Sequence, residues 1–341
     1  MRPKYWLALA AAASLVLGST HLTRAQETPL VPPASGPLDP NGTPRTPGGA
    51  APAITFSEVL FPHGLLGAAL ERHANKDGSI DYAGLKGSRQ LQEYVDDVGR
   101  ADRSKFPVVG LGIDPKYPKA PEKMDHSFEM AYLINAYNAL MIQTLAERYP
   151  VNSPNDDKGF YTDKTHNVAG KMVSFQELRD EIQARDPRTF FALLTGTRGG
   201  PSLSMIEISK DGPAVFNPYT YSTVDKMLDI AASNYIDNPN HVQIQRIGGN
   251  LGGKVTIDEY MQGADPLFAQ ANVKGDKPDR KQWAGVKRAL QVYSKVGSNK
   301  RYFNAGEYRI EWAKTNTGLN YQNSGFSAPV GSIGSVNPAA G

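Results

Sequence analysis

Two asparagines one helical turn apart, Asn135 and Asn138, sit in a stretch so apolar that both side-chain amides must be buried. A buried amide without a partner costs about 1–3 kcal/mol, so each is expected to grip the backbone of another element or to face a binding site. Downstream, Arg188 and Arg198 stand near a glycine-rich loop, residues 196–202, that carries Gly199 and Gly200. Two guanidinium groups beside two glycine amides form a fork that takes a carboxylate. Arg188 equally has Asp186 two residues away as a partner. Thr195, Ser202 and Ser204 place hydroxyls in the same segment, and a histidine brought in by folding, His126 or His166, would turn one of them into a nucleophile.

Other chemistries are absent or incomplete. The chain has no Cys, which excludes a disulfide framework, a thiolate nucleophile, Cys-ligated metal and a lipid-modified N-terminal Cys. The histidines form no H-E-x-x-H and no i, i+4 pair, so no metal and no cofactor is expected. Gly248-Gly249-Asn250-Leu251-Gly252-Gly253-Lys254 has P-loop spacing, but Val255 stands where the magnesium-binding hydroxyl belongs and the flanks read as half-polar strands. Asn75-Lys76-Asp77-Gly78-Ser79-Ile80-Asp81 has the middle of a calcium loop, but His73 and Gly84 fall at its first and twelfth ligand positions. A polar turn with Gly78 at positive φ is the reading that remains.

The charge balance narrows the partners. The formal charge is +3, and Arg2, Lys4 and Arg24, in an N-terminal stretch without acids, account for all of it; 34 bases face 34 acids in the remainder. A formally neutral body offers no broad footprint for nucleic acid or anionic lipid. Arg2 and Lys4 precede an apolar run over residues 5–17, long enough for the core of an export signal and short of a membrane span. Residues 1–25 are therefore expected to be a signal peptide, and the protein to be periplasmic or secreted, with no stable membrane insertion afterwards. Residues 26–53 and 323–341, rich in Pro, Gly and small residues without hydrophobic period, read as a linker and a tail. A single globular domain is expected over 54–322.

Periodicity supplies the elements that must position these side chains. Helices are expected over residues 56–73 and 82–97, and over 125–149, where the apolar face is so wide that the helix must be largely buried. Ser174-Phe175-Gln176-Glu177 is a capping box opening a helix to Arg185. The apolar run 188–195 reads as a buried strand, 222–237 as a helix and 241–247 as an edge strand turning into 254–257. Asp279 caps a last helix through Tyr293, with Gly297 past its end. The class is α+β, helix-rich with a small, mainly antiparallel sheet.

Three segments together resemble the bacterial and plant family called domain of unknown function 547. Residues 78–85 are similar to its opening motif. Residues 128–140, with Asn135-Ala136-Tyr137-Asn138-Ala139, resemble its most specific signature, and Tyr149-Pro150-Val151 follows at the usual spacing. Asp186-Pro187-Arg188-Thr189-Phe190-Phe191-Ala192-Leu193 resembles its D-P-R-x-H-F-A-L segment, and Pro201-x-Leu203 its C-P-x-L ending. The resemblance implies a fold compared with papain-like and transglutaminase-like hydrolases, and a Cys, His and polar residue for catalysis. This chain departs where that chemistry would sit: Phe190 replaces His, Thr195 and Gly200 stand at Cys positions, and Asp180 stands near a further His position. The framework residues Asn135, Tyr137, Asn138, Arg188 and Pro201 are kept.

The expectation is thus a non-catalytic, exported protein. Its binding cleft is lined by Asn135, Tyr137, Asn138, Arg188, Arg198, Gly199, Gly200 and the 195–202 loop, for a peptide, glycan or small molecule. The alternatives are a hydrolase or transferase with a Thr195, Ser202 or Ser204 nucleophile, and an envelope scaffold or assembly protein.

Overall fold

The structure, a computed structural model, describes residues 61–75, 77–110, 124–203, 205–207, 214–247, 252–270 and 282–321. The expected signal peptide, linker and tail, the helix start at 56–60, Ser204 and most of the 248–254 loop lie outside the described residues.

Three short N-terminal helices lead into the core: α1 (Gly64–Leu70), α2 (Tyr82–Leu85) and α3 (Arg89–Arg100). The single helix expected over 82–97 is two, because Gly87 adopts φ +74° and Ser88 starts afresh as an N-cap, accepting from Leu91 N–H. Leu91, Tyr94 and Val98 form the buried stripe of α3. A two-residue strand pair, β1 (Val109–Gly110) and β2 (Met124–Asp125), precedes helix α4 (Ser127–Arg148), which is buried continuously from Met130 to Ile142. A helix apolar on all sides has to be surrounded, and α2, α3, α5 (Phe175–Gln183) and α6 (Val224–Ile236) pack around it.

The hairpin β3 (His166–Val168) and β4 (Lys171–Val173) delivers the chain into α5, whose capping box is complete: Glu177 N–H donates to Ser174 Oγ at 3.1 Å, and Ser174 N–H donates to Glu177 Oε2 at 3.0 Å. Residues 188–195 are not the expected strand. Pro187 to Phe191 form a 3-10 turn started by Asp186, whose carboxylate accepts from Arg188 N–H at 2.8 Å. This run is buried because a helix side chain pins it, as described below, and not because it joins a sheet.

The hairpin β5 (Met205–Glu207) and β6 (Ala214–Phe216) leads to α6. The edge strand β7 (Val242–Arg246) pairs antiparallel with β8 (Gly253–Asp258), as expected. P-loop spacing here opens a strand and not a helix, which removes the helix N-terminus that would hold phosphate. The short strands β1 to β6 are not among the sequence expectations, and neither are α7 (Ala264–Gln270), α9 (Gly297–Ala305) and β9 (Arg309–Ala313), the last parallel to β8. The last expected helix, α8 (Ala284–Tyr293), exists but begins after Trp283 and not at an Asp279 cap, a residue outside the described ones, and Gly297 opens α9 instead of closing α8. The architecture is helix-rich α+β with small sheets, all antiparallel except β8–β9. Among the described residues no helix is long and apolar enough to cross a membrane.

Candidate functional site

Asn135 and Asn138 are both backbone clamps. Asn135 Nδ2 donates to Tyr219 O at 2.7 Å, and Tyr219 N–H donates to Asn135 Oδ1 at 3.0 Å. Asn138 Nδ2 donates to Ala192 O at 3.0 Å, and Leu194 N–H donates to Asn138 Oδ1 at 2.9 Å. Each amide thus replaces the missing ladder of a strand for one segment that crosses α4. Of the two roles open to them, the structure gives these side chains the gripping one, and their exposures of 1% and 2% keep them from lining an open cleft.

Arg188 is also spoken for. Its Nε donates to Asp186 at 3.1 Å and Nη2 to Asp186 Oδ2 and Asp225 Oδ1, both at 2.7 Å; Nη1 donates to Asp229 Oδ1 at 2.9 Å and Asp225 O at 3.2 Å. All five N–H groups have protein acceptors, so the expected ligand fork would have to displace carboxylates already in place. Arg188 ties the 187–191 turn to α6. A groove of about 420 Å³ beside it is walled by His126, Met130 and Leu228 as well.

Arg198 belongs to a different neighbourhood. Its Nε donates to Leu319 O at 3.2 Å and its guanidinium lies 5.3 Å from the Tyr321 ring. Segment 315–321 runs as a strap along the glycine loop: Arg198 N–H donates to Gly318 O, Gly199 N–H to Asn316 O and Asn320 N–H to Gly196 O, at 2.9, 2.8 and 2.9 Å. Gly200 N–H turns back to Thr197 O at 3.2 Å. The amides of Gly199 and Gly200, expected as an anion nest, are therefore filled. Gly200 is required for another reason, since a Cβ there would stand 1.7 Å from Thr195 Oγ1.

The hydroxyls are no better placed for nucleophilic work. Thr195 Oγ1 is buried and shares a 2.8 Å hydrogen bond with Thr197 Oγ1. Ser202 Oγ accepts a long 3.5 Å contact from Asn320 Nδ2. His166 instead meets Thr165 Oγ1 and packs 4.0 Å from the Phe175 ring, and His126 lies 4.0 Å from Glu129 Oε2. Among the described residues no histidine is hydrogen-bonded to Thr195 or Ser202, and no group of three His, Asp or Glu gathers to hold a metal ion.

Tyr137 leads to residues that the sequence did not single out. Its Oη accepts from Arg179 Nη2 at 2.7 Å and Nε at 3.2 Å. The Arg179 guanidinium lies 5.4 Å from the Tyr161 ring and 5.8 Å from the Tyr137 ring. Tyr161 Oη donates to Thr195 O at 2.8 Å, while Tyr260 stacks on Phe190 at 4.6 Å. Arg179, Tyr161 and Tyr260 thus surround the backbone and rings at two positions where the resemblance calls for His and Cys. Burial raises the Tyr161 and Tyr260 hydroxyls above their ordinary range, so both stay protonated. Burial opposes the charge on Arg179, but the phenolic oxygens of Tyr137, Tyr260 and Tyr161 outweigh it and raise its proton affinity. One signal was available: Phe175, Leu178 and Ile182 define the buried face of α5, and Arg179 falls one turn after Phe175 on that face. A second unforeseen pair, His241 and Asp258, meets at 2.8 Å with His241 stacked on Tyr235, and ties β8 to the turn after α6.

The fold and this geometry define a helix-rich α+β domain held by amide clamps around α4, with Arg179 set among Tyr137, Tyr161 and Tyr260. Residues 121–236 match the family described as "Protein of unknown function, DUF547". No curated protein and no solved structure matches the chain.

Proposed function

We propose that this protein is an exported, non-catalytic member of its family that binds a peptide, glycan or small molecule at the face where residues 190–202 meet Tyr161, Arg179 and Tyr260. One observation carries the reading: the positions where the family resemblance calls for His and Cys hold Phe190, Thr195 and Gly200, each packed or hydrogen-bonded within the protein. A thiol mechanism has no thiol. At Thr195 and Ser202 a hydroxyl mechanism lacks a histidine base, since among the described residues neither has one at hydrogen-bond distance. Export is supported by the basic and apolar N-terminus.

The cleft first expected, lined by Asn135, Asn138 and Arg188, gives way to this neighbouring face because those three side chains have spent their polar groups on protein partners. Screening cell-envelope peptides, muropeptides and glycans by thermal shift, with mass analysis of each ligand afterwards, tests the reading. The expected outcome is saturable stabilisation by a ligand recovered unchanged; a ligand recovered cleaved or transferred would replace the reading with an enzyme.

A further inference from the structure

A guanidinium packed into a protein ordinarily takes a carboxylate with it, since a partly desolvated charge without a counter-charge is costly. Arg179 does not. The acids nearest to it along α5 are used elsewhere: Glu177 pairs with Lys164, Glu181 with Arg185, and Asp180 accepts from Gln176. Its only protein acceptor among the described residues is Tyr137 Oη, reached from the Nε and Nη2 side. That leaves the end-on edge, Nη1 with the second Nη2 proton, without an acceptor among the described residues.

The surroundings suit one kind of ligand. Arg179, Tyr161 and Tyr260 each keep part of their surface in water, and Nη1 of Arg179 is not among the buried polar atoms that lack a partner, so solvent reaches it. Tyr137, Phe190 and Thr195 are buried behind them. Tyr137 Oη accepts from Arg179 and keeps its own proton to donate, and the aromatic rings stiffen the guanidinium through its flat faces. Two parallel N–H groups at a rigid edge match the two oxygens of a carboxylate better than a single point charge.

We propose that Arg179 anchors a carboxylate-bearing ligand, its end-on edge pairing with both carboxylate oxygens beside Tyr161 and Tyr260. This rests on the binding reading above and names the chemistry of its site. The carboxylate comes from a peptide C-terminus or from a small organic acid, and the test separates the two.

Calorimetric titration of the full chain compares N-acetyl-Ala-Ala with its C-terminal amide, and benzoate with benzamide. The carboxylates bind saturably and the amides do not; the tighter of the two acids identifies the source. Arg179→Gln weakens the carboxylate at least about tenfold, and Arg179→Lys weakens it too because the fork is lost while the charge stays. Equal binding of acid and amide, no binding by either acid at tens of millimolar, or full affinity in a natively folded Arg179→Gln protein each overturns the anchor. Should Arg179→Gln not fold, the acid and amide pairs on the unaltered protein decide. A ligand lacking a carboxylate, bound at this face and recovered intact, would remove the anchor and leave the binding reading standing. Turnover of any probe would remove the binding reading and leave the acid-against-amide comparison to judge the anchor.

Discussion

Leu194 N–H donates to Asn138 Oδ1 at 2.9 Å, while Asn138 Nδ2 donates to Ala192 O at 3.0 Å, so one side chain holds both sides of a turn that belongs to no sheet. Asn138 is the local substitute for strand pairing in the segment that leads to Thr195. Asn138→Leu would leave a buried N–H and a buried C=O without partners. A loss of about 2–5 kcal/mol in urea unfolding is expected; a change under about 0.5 kcal/mol, the scale of ordinary surface substitutions, would show that the clamp does not hold the turn.

Gly200 and Thr195 are mutually dependent. A methyl group at Gly200 collides with Thr195 Oγ1, whose separation from that Cβ position is 1.7 Å. Gly200→Ala is expected to cost about 1–3 kcal/mol, in the range of overpacked cores, and Thr195→Ala added to it recovers part of the loss. Strict additivity of the two changes would argue against the contact.

His166 makes stability depend on pH. Its pKa is lowered to about 4, first by burial and second by the nearby charge of Arg148. The folded state therefore favours the neutral ring, and its contribution is complete above the ordinary value near 6.5 and is lost as pH falls from there towards 4. His63, half-buried and lowered to about 4 by its partial withdrawal from water, acts in the same direction. Replacing His166 by Phe, which keeps the packing on Phe175, should shrink the stability difference between pH 7 and pH 5 by about 1–2 kcal/mol. Superimposable pH profiles of the two proteins would rule out this role.

The calcium-like loop around Asp77 is expected to be a turn only. Asp77 Oδ1 already accepts from Ser79 N–H at 3.0 Å and Ser79 Oγ at 2.6 Å, and Gly78 adopts φ +76° against Leu203 O. Millimolar calcium, the range in which weak extracellular sites fill, should leave the melting temperature unchanged, whereas Gly78→Ala should lower it. A saturable rise with calcium that a chelator reverses would contradict this.

Local signals were legible and long-range ones were not. The capping box at Ser174, the buried amides of α4 and the hairpin of β7 and β8 follow from residues within a few positions of one another. The 188–195 run was misjudged because its burial comes from Asn138, about fifty residues earlier, and not from its own alternation. The strap at 315–321 has no periodicity to announce it; only folding lays it on Arg198 and Gly199. Arg188 and Arg198 look alike in sequence, yet one faces three aspartates and the other a tyrosine ring. Arg179 gave the one clue that spacing can give, a cation on an apolar helix face, while its tyrosine partners come from three distant segments.

The central claim is that the family's reactive positions are chemically silent here, and a hydroxyl-directed covalent probe tests it most directly. Intact-mass analysis of the full chain after prolonged exposure to a fluorophosphonate should show no adduct, because Thr195 is buried against Thr197 and, among the described residues, Ser202 has no histidine hydrogen-bonded to it. A stoichiometric adduct mapped to Thr195, Ser202 or Ser204 would contradict the account and make the protein an enzyme.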